Sequence, residues 1–105
     1  MSNNHVLTQY FQAATEGDLE SLKQQLKQNI DINATNRQGR TAIVLASLNK
    51  HYALVEYLAA AGADINLQDE TCFNPFLLGC LTNDLNLIRI MVKAGADLTR
   101  LTRFG

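Results

Sequence analysis

Tryptophan is absent from this chain of 105 residues, proline occurs once, at Pro75, and histidine twice, at His5 and His51. Two histidines are too few for a histidine-rich metal site. The two cysteines, Cys72 and Cys80, form no metal or redox motif, and eight positions along one helix would hold them about 12 Å apart. An unbridged pair and a reduced, cytoplasmic setting are therefore expected. The long apolar run that a membrane span needs is missing. Met1-Ser2-Asn3-Asn4-His5 places no basic segment ahead of an apolar stretch, so no secretory signal is expected. Neither sign of charge dominates: nine basic and ten acidic residues leave a formal −1, with no global pull toward nucleic acid or an anionic membrane. Gly39 and Gly62 stand alone, so there is no glycine-rich phosphate loop. No nucleophile, base and orienting group can be assembled, and neither an enzyme nor a cofactor site is expected.

What is present is a repeat. Laying Ala46–Asn66 over Gly79–Thr99 needs a shift of 33 residues and no gap. Val55 falls on Ile88, Leu58 on Met91, and Gly62-Ala63-Asp64-Ile65 on Gly95-Ala96-Asp97-Leu98. The same shift backward puts Ala13 under Ala46, Leu22 under Val55, and Asp31-Ile32-Asn33 under Asp64-Ile65-Asn66. Each copy holds two short helical patterns. Thr41 precedes Ala42-Ile43-Val44-Leu45-Ala46, a break follows at Asn49-Lys50, and Leu54, Val55, Leu58 and Ala59 then form a stripe that needs a core. Gly62 and Gly95 fit the left-handed position that ends such a helix, and Asn29 stands there in the first copy. From Ala63 to Phe73 the chain is polar and turn-rich, which predicts an extended loop or hairpin between units. A helical pair of this size cannot bury a core alone, so stacking of neighbours is required.

These units resemble the ankyrin repeat, whose pattern runs roughly G-x-T-P-L-H-x-A, G-H-x-x-V-V-x-x-L-L, G-A-D-x-N. The second copy reads Gly39-Arg40-Thr41-Ala42-Ile43-Val44-Leu45-Ala46, then Lys50-His51-Tyr52-Ala53-Leu54-Val55, then Gly62-Ala63-Asp64-Ile65-Asn66. The third gives Asn74-Pro75-Phe76-Leu77-Leu78-Gly79, and the first gives Gly17-Asp18-Leu19-Glu20-Ser21-Leu22. The chain is most similar to small bacterial ankyrin-repeat proteins. Departures are Val44 and Leu77 for the first-helix histidine, Lys50 and Asn83 for the inter-helix glycine, and Cys72 for the hairpin glycine. The resemblance implies an all-α solenoid in one domain, 1–105, with repeats near 4–36, 37–69 and 70–102 and the start of a truncated further repeat at 103–105. It also implies that His51 bonds loop backbone. His5 is expected in a solvated terminal tail. Asp31, Asp64 and Asp97 suit turn capping, because a short acceptor after a helix can bond loop amides. Lys23, Gln24, Gln25, Lys27 and Gln28 give the first copy a polar second helix fit for a cap. The other end, with Ile90, Leu98, Leu101 and Phe104, is apolar, and it predicts self-association.

The function implied by the resemblance is non-catalytic protein binding on a concave face of hairpin tips and first helices. The tips offer Arg37, Gln38 and Arg40, then Glu70, Thr71 and Phe73. The first helices offer Thr15 and Glu16, Leu48 and Asn49, Leu81 and Thr82. Partner-binding candidates are Arg37, Arg40, Leu48, Glu70, Phe73 and Leu81, since an aromatic and leucines near arginine suit an interface. Phe73 has a second reading, folding down to fill the place of the missing glycine. The alternative for the whole chain is a purely structural segment of a longer array.

Overall fold

The computed structural model describes residues 2–66 and 75–95, without the side chains of residues 2–4 and 76. Cys72, Glu70, Phe73, Leu98, Leu101 and Phe104 lie outside the described residues. Among the described residues six helices follow one another: α1 (Ser2–Glu16), α2 (Leu19–Leu26), α3 (Ala42–Leu48), α4 (Tyr52–Ala60), α5 (Pro75–Thr82) and α6 (Leu85–Lys93). No strand occurs among the described residues, so the fold is all-α. The helices pair as α1 with α2, α3 with α4 and α5 with α6. First helices α1, α3 and α5 stack side by side, and α6 packs along α4.

Local chemistry places each boundary. Asp18 caps α2 through a hydrogen bond from the Ser21 N–H, 3.1 Å. Thr41 caps α3 by accepting from the Val44 N–H. Asp84 caps α6 by accepting from the Leu87 N–H at 3.2 Å. Each such cap satisfies a backbone donor that the first turn leaves without a partner. Pro75 opens α5, where its missing N–H costs nothing.

The break between paired helices requires a left-handed residue. Gly17, Lys50 and Asn83 occupy it in turn, 33 residues apart, at φ +79°, +61° and +58°. The second helices end likewise at Asn29, Gly62 and Gly95, all with positive φ. Lys50 thus holds a conformation that glycine adopts without strain.

The core is one continuous cluster. Tyr10, Ala13, Leu22, Ile43, Ala46, Leu54, Val55, Leu58, Leu87 and Met91 are all buried within it. The stripe read from Leu54, Val55, Leu58 and Ala59 faces inward, with Ala59 half-buried.

The first helix departs from expectation. His5 lies within α1, not in a tail, although its side chain is exposed. Val6, Tyr10 and Ala13, and Leu7, Phe11 and Ala14, sit at helical spacing and give the added turns an inward face. The capping surface also differs. Gln9, Gln12 and Gln25 stand where the next copy has buried Ala42, Leu45 and Leu58. They line one polar cleft with Glu16, Asp18 and Ser21. Lys23 is not part of that polar surface: its ammonium lies 5.3 Å from the centre of the Tyr57 ring, on the side of the second copy.

Candidate functional site

The loop between α2 and α3 reverses direction around Asn36. Its N–H donates to the Arg40 carbonyl at 2.9 Å, and its Oδ1 accepts from the Gln38 and Arg40 N–H groups. One side chain thereby satisfies two amides of the tip, which fixes where Arg37 and Arg40 emerge. Arg37 is exposed. Arg40 is half-buried and directs Nη1 toward Gln38 Oε1 at 3.4 Å.

Below the tip the loop is tied to both its own copy and the next. Asp31 Oδ1 accepts from the Asn33 N–H, and Asp64 Oδ1 accepts from the Asn66 N–H, so each carboxylate closes a turn. Asn33 Oδ1 then accepts from the Asp64 N–H at 2.7 Å, joining the two copies. The buried Tyr10 hydroxyl donates to the Ile32 carbonyl at 2.9 Å. Burial, and secondarily the Asp31 charge, push the Tyr10 hydroxyl pKa well above the usual tyrosine range.

A groove of about 530 Å³ lies between this tip and α1, lined by Leu7, Thr8, Phe11, Thr35, Asn36 and Arg37. The Phe11 ring is tilted against Tyr10, with centroids 5.7 Å apart. The groove joins an arginine to leucine and phenylalanine. Sequence reasoning reaches Arg37 through the hairpin tip but not Leu7 or Phe11, because it looks for surface only at the tips and at the ends of the first helices. Phe11 carried a signal: it stands 33 residues before Val44, at the first-helix position where the repeat pattern has histidine.

Leu48 and Leu81 stand at the ends of the neighbouring helices α3 and α5, 39% and 62% exposed. Thr15, the corresponding residue of α1, is also exposed. Its carbonyl accepts from His51 Nε2 at 3.0 Å. A carbonyl can only accept, so the contact places the ring proton on Nε2. His51 starts α4 without a side-chain cap bond and instead ties the second copy to the first. Tyr52 makes the next tie, donating to Asp84 Oδ2 at 2.7 Å. That hydrogen bond, with some burial, raises the Tyr52 pKa.

Cys80 is a free, exposed thiol. Among the described residues no three His, Cys, Asp or Glu side chains are grouped to hold a metal ion. No described helix is long and apolar enough to cross a membrane.

Comparison with known proteins agrees with this architecture. The family model for ankyrin repeats, in three copies, matches residues 10–102. This chain belongs to the ankyrin-repeat family. It is 51% identical, over its whole length, to the ankyrin repeat protein YahD of Escherichia coli strain K12, a small bacterial relative, and covers 52% of that protein. It is 31% identical over 90 residues to the mouse RelA-associated inhibitor, covering 86% of this chain and 11% of that protein. The ankyrin repeat protein L371 of Acanthamoeba polyphaga mimivirus is 30% identical over 90% of this chain and 12% of its own length. The chain thus spans about half the length of its E. coli relative. Ankyrin repeats generally mediate protein–protein interaction, and the family is generally non-enzymatic.

Proposed function

We propose that this chain is a non-catalytic scaffold that binds a protein partner on the face made by its hairpin tips and first helices. The proposed contacts are Arg37, Arg40, Leu48, Glu70, Phe73 and Leu81, joined by Leu7 and Phe11. The observation that carries the reading is the groove where exposed Arg37 meets Leu7 and Phe11 beside the tip. An arginine beside apolar side chains in a concave setting has the composition of an interface hot spot. The near-neutral charge argues against nucleic acid as the ligand. A free Cys80 thiol suits the cytoplasm, the compartment we propose.

The test begins with a partner isolated from the native cell and shown to bind directly. Leu48→Ser with Leu81→Ser should then weaken binding by roughly 2 kcal/mol or more, about 30-fold in Kd, while the circular dichroism melt stays put. Both residues are exposed, so truncation removes little from the core. Unchanged affinity in this variant and in Arg37→Ala would move the site elsewhere.

A second reading, a structural segment of a longer array, is favoured by one observation. Leu85 and Val92 of α6 are 60% and 51% exposed, whereas their counterparts one copy earlier, Tyr52 and Ala59, are half-buried. That face would be covered by a further repeat or by a second copy of the chain. Sedimentation over a wide concentration range separates the two, since only the second copy makes mass depend on concentration.

A further inference from the structure

The side of the stack formed by the second helices holds another groove, of about 510 Å³, between α4 and α6. Its apolar lining is Ala59, Ala60, Ile90 and Ala94. Glu56 stands on the α4 wall, and Arg89 and Lys93 stand on the α6 wall. One repeat earlier, Leu26 and Lys27 occupy the positions of Ala59 and Ala60, and Tyr57 that of Ile90. There Leu26 packs against the core and Lys23 covers the Tyr57 ring. The hollow therefore arises from three smaller residues placed where the same fold elsewhere carries large ones. Its walls carry two positive charges against one negative. No described interaction engages Arg89 or Lys93 in an ion pair.

We propose that this groove docks a segment of a partner protein that carries a large apolar side chain next to a carboxylate. The apolar side chain would lie on Ala59, Ala60 and Ile90, taking the space that Leu26 and Tyr57 fill in the preceding repeat. The carboxylate would meet Arg89 and Lys93, whose excess positive charge selects an acidic segment. Ala60, Lys93 and Ala94 are exposed, so the hollow is open along its length. A small free ligand is usually enclosed over most of its surface, whereas a protein segment shields its own flanks. This surface is separate from the tips and first helices, so its partner need not be the same protein.

The experiment uses the full chain with isotope-labelled alanine methyls. The probes are two synthetic peptides of equal length: one with a central phenylalanine flanked by glutamates, the other with lysines in their place. The acidic peptide should shift the methyls of Ala59, Ala60 and Ala94 saturably, with a Kd at least tenfold lower than that of the basic peptide. Ala59→Leu, which copies the preceding repeat, should abolish the shifts without lowering Tm. Arg89→Glu with Lys93→Glu should invert the preference between the peptides, and it carries the test if Ala59→Leu does not fold. The proposal is overturned if neither peptide shifts these methyls, if charge reversal leaves the preference unchanged, or if decanoate shifts them while the acidic peptide does not. Movement of the same methyls with protein concentration alone would place a second copy in the groove and overturn it equally.

Discussion

His51 and Gly17 meet in close contact between the first two repeats. A methyl placed on Gly17 would come 2.6 Å from His51 Nδ1 and 2.9 Å from Cγ, closer than real contacts allow. Gly17 also has φ +79°, where an added Cβ costs roughly 1–2 kcal/mol by itself. Gly17→Ala should therefore destabilise the chain by more than that backbone cost. In a His51→Ala background the same substitution should cost only the backbone part. Urea melts of the four proteins check this, since neighbours that share a contact depart from additivity. An additive cycle would mean that the imidazole does not abut Gly17 in solution.

That His51 bonds backbone was legible in the sequence through the family pattern, although its partner is the Thr15 carbonyl in the last turn of α1 and not a loop; the left-handed positions at Asn29, Gly62 and Gly95 were legible through residue type. Lys23 was not. A lysine on a polar helix reads as solvated, and only the neighbouring Tyr57 ring reveals where its ammonium goes. The hollow at Ala59 and Ala60 was equally silent, because alanine is both a strong helix former and an absence of bulk.

Among elements, α6 depends on Asp84 twice. Oδ1 caps the helix at the Leu87 N–H, and Oδ2 accepts from Tyr52 at the start of α4. One carboxylate thus starts a helix and fastens it to its neighbour. Asp84→Ala should cost about 0.5–2 kcal/mol through the cap alone, and more with the inter-repeat bond lost. Tyr52→Phe should remove only the second effect, and adding it to Asp84→Ala should change little further. Thermal melts of the two single variants and the double variant would show this as coupling. Equal and additive losses would mean that the two ends of the carboxylate act independently. The extra turns of α1 are the element least legible beforehand. Helix existence follows a strong apolar stripe, and the polar start of the chain weakens that signal just where α1 begins.

For the whole molecule, the continuous core decides how the chain unfolds. Leu58 is fully buried in the middle copy, within the cluster that includes Tyr10 of the first and Met91 of the third. Leu58→Ala should cost about 2–5 kcal/mol. That is a large share of the roughly 5–15 kcal/mol a domain commands, so all repeats should melt together at lower urea. Matching midpoints for parent and variant would remove Leu58 from the shared core. The repeat architecture was legible at this scale because stacking imposes a period of 33 that survives changes of individual residues.

The amides of Gln9, Gln12 and Gln25 also give the stack a direction. A neighbour laid against the exposed face of α6 would meet the hydrocarbon of Leu85 and Val92, with Arg89 between them at helical spacing. A neighbour laid against the α1 side would have to dehydrate those three amides and the Glu16 carboxylate, of which only Gln12 and Glu16 already bond each other. The two faces are thus chemically unlike, one richer in hydrocarbon and one richer in amides. A repeat packed on the α6 face would therefore bury more hydrocarbon and fewer amides than one packed on the α1 face.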